Sequence, residues 1–467
     1  MQKPKDEKQT TRRQFMASTA AAAAFTIVPR HAAAGSRKTP PSDKLNIACI
    51  GVGGMQGFND VNSVRSENIY ALCDVDDNFM TRAAEHFPAA KKYRDFREML
   101  DKEYKNLDAV TITIPDHMHA TVALWAMERG LHVYCQKPLT QSIWEARLMT
   151  HAAKKFDVVT QMGNQGYSSD DIRLACETVW RGDVGDITEV HSRSGGGFAR
   201  DITEWPPKGN TPAWIDWDLW TGRAPKHAYS DKIHPSNWRG FQDYGSQMLG
   251  DWGIHQLGPA NWALQLHNPV SIECTAVEGV NPVTYPHYAC KIEFPERPNT
   301  YVPSGIMPPV TLYWYEGKMV ELFKPMADFS EDEIKNFNAI YYGTQGCMGT
   351  GGHGSYFRLV PRKSMRKFKK PPRLLERSPG HFQEWIQACK NKGSTCSNFS
   401  VAAPFTEWIL LGSISWRFPQ KKLLWDHKNM RFTNNEEANK YVRPPFRKGW
   451  ELDEGTVRSI MALEKQA

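Results

Sequence analysis

The stretch that decides the fold is Leu45–Gly57, with the sequence LNIACIGVGGMQG. Its first half is a mostly apolar run typical of a buried strand. The glycines that follow let the backbone turn tightly into a helix, whose free N–H groups can bind a pyrophosphate. A second predicted strand, residues 69–73, ends at Asp74, where a carboxylate suits a ribose 2′-hydroxyl. The sequence therefore predicts a dinucleotide-binding Rossmann unit.

The predicted cofactor is NAD, because the Asp74 carboxylate would repel the 2′-phosphate of NADP. The third glycine of the usual fingerprint falls on Gln56, with Gly57 one place late, so we expect slightly different packing of the helix against the strand. The residues of this region predicted to contact the cofactor are Gly51, Gly53, Gly54, Met55, Gln56 and Asp74.

The alternation of strands and helices continues through strands at residues 108–114, 131–135 and 158–162. Ligands of open parallel sheets bind beyond the carboxyl ends of the strands. Pro115 and His119 follow the first of these strands and Lys137 follows the second, so we predict that all three contact the cofactor. The alternation stops after Gly166. Residues 44–163 are thus predicted to form an α/β domain with a doubly wound parallel sheet.

Four motifs occur along the chain: the Gly51 loop with Asp74, Pro115-x-x-x-His119, Gln136-Lys137-Pro138, and GDWGIH at residues 250–255. In this combination the sequence resembles the Gfo/Idh/MocA family of sugar and inositol oxidoreductases. The family usually has a glutamate where this chain has Gln136. The lysine is retained, so hydride chemistry stays available.

The resemblance implies a second domain of α+β type with a large, mostly antiparallel sheet. It also implies a homodimer or homotetramer formed through the open face of that sheet. We place this substrate and oligomerisation domain at residues 164–430 and a C-terminal tail at residues 431–467. Strand-like runs at residues 187–193, 270–277, 288–294 and 310–315 support the sheet independently.

Oxidation of a secondary alcohol needs a base for the hydroxyl proton. Asp251 and His255 are four residues apart, so on a helix they share one face, and the carboxylate could orient the imidazole and favour its protonated form. In the family that this chain resembles, the matching histidine is the acid/base and the matching aspartate supports it. Lys137 would stabilise the negative charge that develops on the alcohol oxygen. These three are the predicted catalytic residues.

The predicted partner is a small carbohydrate substrate. Side chains that suit its hydroxyl groups, in the expected region, are Asn164, Gln165, Tyr167, Asn237, Trp238 and Arg239. The leading hypothesis is an NAD-dependent oxidoreductase acting on a secondary hydroxyl of a sugar, cyclitol or glycoside. Two alternatives stay open. One is an NAD-dependent glycoside hydrolase that uses transient oxidation and elimination, and the other is a non-catalytic exported sugar-binding module.

Residues 1–34 are predicted to be an export signal. The stretch RRQFM at residues 12–16 precedes a weakly apolar run at residues 17–28, and three alanines at 32–34 offer a cleavage site. The paired arginines resemble the twin-arginine (Tat) signals of bacteria, which implies a periplasmic protein exported in folded form. NAD carried out in this way could not be exchanged, so we expect it to be recycled in place.

Composition argues against several other classes of partner. The formal charge is +7, but residues 1–34 carry six basic and two acidic residues, net +4, which leaves +3 on the rest. This balance gives no reason to expect a nucleic-acid partner. His117 and His119 are two residues apart on a loop without a third ligand, so no metal site is predicted. After the leader no segment is apolar enough to predict a membrane span.

Overall fold

The computed structural model describes residues 43–325, 329–391 and 393–463. The predicted export signal, residues 1–34, lies outside the described residues. Within them, no helix combines the length and the apolar character needed to cross a membrane.

The first sheet is built from six short, largely buried strands. They are β1 (Asn46–Ile50), β2 (Asn68–Cys73), β3 (Lys91–Tyr93), β4 (Ala109–Ile112), β5 (His132–Cys135) and β6 (Thr160–Met162). Their order is β3-β2-β1-β4-β5-β6, and all neighbours are parallel. The order reverses at β1, as in a doubly wound Rossmann sheet, so the predicted fold of this part is confirmed.

The second sheet is larger and mostly antiparallel, as predicted. The strands that follow β6 are β7 (Ile187–Ser194), β8 (Ser271–Glu278), β9 (His287–Phe294), β10 (Arg297–Pro298), β11 (Ile306–Met307), β12 (Val310–Glu316), β13 (Ala339–Gly343), β14 (Gly346–Thr350), β15 (Arg358–Val360), β16 (Lys422–Asp426) and β17 (Arg431–Phe432). The sheet order is β15-β14-β13-β7-β12-β9-β8-β16-β17. Among the described strands of this sheet, β7 and β12 alone pair in parallel, and β10 and β11 form a separate small hairpin.

Helices connect and cover both sheets. They are α1 (Gly54–Ser63), α2 (Asp77–His86), α3 (Phe96–Glu103), α4 (His119–Met127), α5 (Ile143–Phe156), α6 (Asp170–Arg181), α7 (Trp217–Thr221), α8 (Ile254–Gln256), α9 (Gly258–Ala263), α10 (Glu331–Ile334), α11 (His381–Asn391), α12 (Phe399–Ser415) and α13 (Glu454–Met461). A π-helical turn, Leu249–Gly253, leads directly into α8.

Helix α12 holds the two sheets together. It is apolar on nearly all sides, and it contacts β6 of the first sheet as well as β8 and β9 of the second. Phe405 and Trp408 are fully buried within the cluster that joins these elements. The Arg147–Glu407 ion pair, at 2.8 Å, ties the helix to α5. A helix buried on all sides belongs in the middle of a core, so this packing fixes the crevice at the carboxyl edge of the first sheet.

An aromatic-rich connection between β7 and β8 reaches back to that crevice. We call residues 205–244 the aromatic segment. The Trp214 carbonyl oxygen accepts a hydrogen bond from the N–H of Asp77 at 2.8 Å. His234 Nε2 lies 3.0 Å from the Asp76 carboxylate. The segment is therefore fastened beside the end of β2, where a Rossmann fold binds the adenosine ribose.

Candidate active site

The glycine loop lines a cavity of 520 Å³ at the carboxyl edge of the first sheet. Gly51 has a φ of +77°, and a Cβ there would collide with the carbonyl oxygen of Thr113. A Cβ at Gly53 would collide with the ring of Phe79. Among the described residues no side chain caps the N-terminus of α1, and its first turn carries no acid. The loop thus leaves backbone N–H groups available in a cradle that only glycine permits, which fits the pyrophosphate of a dinucleotide.

Gly57 supplies the close contact that the usual third glycine provides. A Cβ there would lie 2.7 Å from the carbonyl oxygen of Gly51, and its N–H donates to the Gly53 carbonyl oxygen at 3.1 Å. Gln56, which occupies the usual glycine position, is exposed and has room for its side chain. The late glycine therefore keeps the helix close to the loop, where a side chain would force them apart.

The Asp74 carboxylate lies on the cavity wall and already accepts two backbone hydrogen bonds. Its donors are the N–H groups of Val52 at 2.9 Å and Asp76 at 3.0 Å. Burial raises the pKa of Asp74 to about 6. Each carboxylate oxygen has a second lone pair, so a ribose hydroxyl can still donate to it. Asp74 thus anchors the glycine loop and offers an acceptor that suits an unphosphorylated ribose.

The cavity brings together most of the residues predicted to contact the cofactor: Gly51, Gly53, Gly54, Met55, Gln56, Asp74, Pro115 and Lys137. The exception is His119, which is buried below the cavity. Its Nδ1 lies 2.7 Å from the Pro138 carbonyl oxygen and its Nε2 lies 2.7 Å from that of Ile114. Both ring nitrogens thus face backbone carbonyl oxygens, one in the segment that follows β4 and one in residues 136–138, which we call the lysine turn; the single N–H of the neutral ring donates to one of them. This structural role replaces the predicted contact with the cofactor.

The opposite wall of the cavity comes from the aromatic segment. Its lining residues are Leu219, Trp220, His234, Pro235, Ser236, Trp238 and Arg239. The sequence predicts two of them, Trp238 and Arg239, near the substrate and none at the cofactor. The segment lies far along the chain from the glycine loop, so only the folded structure shows that it covers the cavity.

Four buried charges meet where Lys137 and Arg239 line the cavity. Lys137 Nζ forms a short ion pair with Asp251. Arg239 donates to Asp116 at 2.7 Å and lies 3.5 Å from Asp251. Burial disfavours the ionised form of Asp251, but the charges of Arg239 and Lys137 outweigh burial and hold its pKa at about 2. Two cations and two anions thus form a neutral network.

The partner of Asp251 differs from the prediction. The sequence pairs Asp251 with His255, whereas the structure pairs it with Lys137 and gives no hydrogen bond between Asp251 and His255 in the described residues. Asp251 lies in the π-helical turn Leu249–Gly253. The physical reason for the difference is charge: the cations Arg239 and Lys137 stabilise the Asp251 carboxylate, whereas burial keeps His255 neutral, so the imidazole carries no charge to attract it.

His255 is buried and neutral rather than protonated. Burial lowers its pKa well below 6.5, and the nearby Lys137 charge adds to the shift. Its Nδ1 is buried without a hydrogen-bond partner in the described part of the chain. A neutral imidazole with a free nitrogen can accept a proton from a substrate hydroxyl. The neutral state of His255 therefore suits the role of a base in alcohol oxidation better than that of a proton donor.

A second imidazole, which sequence analysis missed, lies beside His255. The ring centroids of His353 and His255 are 4.4 Å apart, and the ring of Trp252 lies 5.2 Å from His353. His353 is exposed and belongs to the loop between β14 and β15. A Cβ at Gly166 would collide with the His353 carbonyl oxygen, so this loop docks on a glycine. The glycine-rich stretch GGHG at residues 351–354 was the available signal of a close approach.

The residues predicted to bind substrate are dispersed. Trp238 and Arg239 line the cavity. Asn164 is buried, accepts a hydrogen bond from Ser397 at 2.6 Å, and keeps its Nδ2 without a partner in the described residues. Gln165 and Asn237 are half-buried and do not line the cavity.

Tyr167 belongs to the core and not to the cavity wall. Its hydroxyl accepts a hydrogen bond from Asn261 at 2.7 Å, and its ring stacks on Trp262 with centroids 5.4 Å apart. The side chain is 1% exposed. The 3-10 turn Gln165–Ser168 directs this tyrosine inward, so packing replaces the predicted substrate contact.

Comparison with known proteins is consistent with this geometry. Levoglucosan dehydrogenase from Pseudarthrobacter phenanthrenivorans is 25% identical over 160 residues, which cover 34% of this chain and 38% of that protein. Glycosyl hydrolase family 109 protein 1 from Shewanella sp. strain ANA-3 is 27% identical over 161 residues, which cover 32% of this chain and 34% of that protein. The chain thus matches less than two fifths of the length of these curated relatives.

The fold is shared with a solved structure of an inositol dehydrogenase homologue from Azotobacter vinelandii, complexed with NADH and myo-inositol. The TM-score is 0.53 at 15% identity, covering 82% of this chain and 98% of that one. Two family models also match. An oxidoreductase-family NAD-binding Rossmann fold matches residues 45–164, and the C-terminal alpha/beta domain of the same oxidoreductases matches residues 202–284. Both models describe domains of one oxidoreductase family, and they match this chain in the order in which that family carries them.

Proposed function

We propose that this protein is an NAD-dependent oxidoreductase that acts on a secondary hydroxyl of a sugar, cyclitol or glycoside. One observation carries the proposal: Lys137 lines the cofactor cavity and pairs with Asp251, four residues before the buried, neutral His255. The relatives named for levoglucosan and inositol support a carbohydrate substrate. The Asp74 carboxylate favours NAD over NADP.

The residues divide the chemistry between them. A bound NAD supplies the hydride acceptor. Burial lowers the pKa of Lys137, and the Asp251 carboxylate opposes this by stabilising the charged form, which donates to the hydroxyl oxygen and stabilises the negative charge that develops there. His255, kept neutral by burial, accepts the hydroxyl proton at a ring nitrogen. Arg239 neutralises both Asp116 and Asp251, which holds the carboxylate of Asp251 in place beside Lys137.

The cofactor is proposed to stay bound through the catalytic cycle. The aromatic segment covers the cavity from the second domain and is fastened to the end of β2 by the His234–Asp76 contact at 3.0 Å. The twin-arginine stretch at residues 12–16 supports periplasmic export of the folded protein. Together these features favour NAD that is recycled in place. The resemblance to the family supports a homodimer or homotetramer formed through the open face of the second sheet.

The direct test is to purify the protein, denature it, and measure the NAD(H) released. A panel of sugars, cyclitols and glycosides is then added to the native protein while the absorbance of the bound nicotinamide is followed. We expect released NAD(H) and a change in nicotinamide absorbance with a subset of the panel. A cofactor-free protein without affinity for NADH would refute the proposal.

A second candidate function is favoured by His353. In an NAD-dependent glycoside hydrolase, oxidation at one ring carbon acidifies the neighbouring C–H, and elimination then needs a second base. His353 and His255 place two imidazoles 4.4 Å apart at one site, and the family 109 relative is named as a glycosyl hydrolase. Incubation with aryl glycosides in D2O separates the two functions. Deuterium next to the oxidised carbon together with aglycone release indicates the hydrolase, whereas ketone formation without release indicates the oxidoreductase.

A further inference from the structure

Asp60 of α1 is a buried carboxylate directly behind the cofactor cavity. It is 1% exposed and accepts three side-chain hydrogen bonds. The donors are Gln56 Nε2 at 2.6 Å, Thr113 Oγ1 at 2.8 Å and Gln136 Nε2 at 2.8 Å. Three donors to one buried anion are more than a packing role requires, because an apolar side chain would fill the space without the cost of burying a charge.

The three donors come from three different walls of the cavity. Gln56 lies in the first turn of α1, Thr113 follows β4, and Gln136 begins the lysine turn; all three line the cavity. A single carboxylate therefore fixes the glycine helix, the exit of β4 and the lysine turn relative to one another. No other described carboxylate accepts hydrogen bonds from all three of these elements.

Gln136 passes this constraint on to Lys137. Its Oε1 accepts the backbone N–H of Lys137 at 3.2 Å while its Nε2 donates to Asp60. On the other side, a Cβ at Gly163 would lie 2.6 Å from the carboxamide carbon of Gln136. The carboxamide is thus held on three sides, and its position determines where the lysine turn begins.

This arrangement also explains why the turn begins with an amide and not with the glutamate that resemblance to the family leads one to expect. A carboxylate at position 136 would lie about 2.8 Å from that of Asp60, and two like charges at that distance cannot both stay ionised in a buried site. An amide can donate to Asp60 and accept from Lys137 at the same time. In this chain the buried negative charge is therefore carried by Asp60 of α1, where the family pattern would have it on a glutamate of the lysine turn.

We propose that Asp60 is a positioning residue that holds the lysine turn and the glycine helix in register for the cofactor and for Lys137. The inference rests on the proposed NAD site. The charge and the donor can be exchanged between the two positions, and this exchange provides the test.

Four variants are compared with the wild type: Asp60→Asn, Gln136→Glu, the double variant Asp60→Asn with Gln136→Glu, and Glu67→Gln. Glu67 is the matched control, because it is a buried carboxylate just before β2 that pairs with Lys390 and does not line the cavity. NADH affinity is measured through the fluorescence of Trp220 and Trp238, which line the cavity. Hydrogen exchange of the peptide spanning the lysine turn is measured on cofactor-free protein, and urea unfolding reports stability.

We expect Asp60→Asn and Gln136→Glu each to weaken NADH binding by about tenfold and to speed exchange at the lysine turn. The double variant restores a donor facing a carboxylate, so both readouts should return to within about twofold of the wild type. Glu67→Gln should lower stability and leave both readouts unchanged. A double variant that shows the summed defects of the single variants would overturn the proposal, as would wild-type behaviour of Asp60→Asn. If the wild type does not bind NADH, the proposed function fails, and the exchange data alone still decide the role of Asp60.

Discussion

Replacing Asp251 by asparagine tests the charge network at the end of the cavity. In the wild type, Asp251 balances Lys137 directly and Arg239 at 3.5 Å. Asp251→Asn preserves the shape of the side chain and removes its charge. Lys137 and Arg239 then share a single carboxylate, that of Asp116, and one buried cation is left without a partner. A buried charge in this position either destabilises the fold or loses its proton.

The size of the effect follows from the pKa of Asp251. The charges around it lower the pKa from its ordinary 3.8 to about 2, and the side chain is only 9% exposed. A pKa lowered from 3.8 to about 2 corresponds to ~2.5 kcal/mol of preference for the ionised form in the folded state. Because the folded pKa lies below the unfolded one, this contribution is fully present above about pH 4 and is lost as the pH falls toward 2. At neutral pH, Asp251→Asn should therefore lower the free energy of unfolding by ~2.5 kcal/mol.

Urea unfolding at neutral pH, followed by tryptophan fluorescence, measures the change. The control is a double-mutant cycle with Lys137→Met, since removing both partners leaves no stranded ammonium group. We expect the double variant to be more stable than the sum of the single effects predicts, with a coupling of ~1–3 kcal/mol. Strictly additive effects would mean that Lys137 and Asp251 do not stabilise each other, and the assignment of Asp251 as the partner of the lysine would be refuted.

Four further outcomes follow from the site. His255→Asn should lower turnover at least about 100-fold and leave NADH affinity unchanged, and an active variant would contradict its role as the base. If the hydrolase function holds, His353→Ala should abolish deuterium incorporation from D2O and leave nicotinamide reduction intact; loss of both would argue against a second base. Gly57→Ala places a methyl group 2.7 Å from a loop carbonyl oxygen, so NADH binding in calorimetry should fall by at least about tenfold, and normal binding would contradict the close packing of the helix. Burial raises the pKa of both Asp60 and Asp74 to about 6, so NADH affinity should fall as the pH is lowered through that value; a flat profile in fluorescence titrations from about pH 5 to pH 8 would contradict both assignments.

The parts of the fold that depend on local patterns were predictable from the sequence. The buried strands can be recognised in the sequence because a strand that is covered on both faces is apolar throughout. The glycines that follow the first strand identify the strand–glycine–helix unit. Strand β3 was missed because Lys91–Tyr93 is short and polar, and only its pairing with β2 makes it a strand. Likewise, β10 and β11 are two residues long, and only their pairing identifies them as strands.

The candidate site was harder to predict because its decisive contacts join distant parts of the chain. Asp60 and Gln136 are 76 residues apart and meet only because β1 and β5 both lie beside β4. His353 reaches His255 through a loop of the second sheet, and no spacing rule connects them. His119 is polar and follows a strand, but these two features did not suffice to predict its role. Its ring contacts the carbonyl oxygens of two backbone segments.

The balance of charges at the site bears on the class of substrate. Arg239 is committed to Asp116 at 2.7 Å, and Lys137 is committed to Asp251, so no unpaired cation remains among these four groups. The carboxylate of a sugar acid would have to displace Asp116 or Asp251 from its cation. The displaced carboxylate would then be a buried charge without a partner, which is costly. A neutral hydroxyl needs only to accept from Lys137 while donating to His255, which leaves every pair intact. The network therefore favours an uncharged polyol or glycoside at the reacting carbon, and it makes the sugar panel informative if uronic acids are included beside their neutral parents.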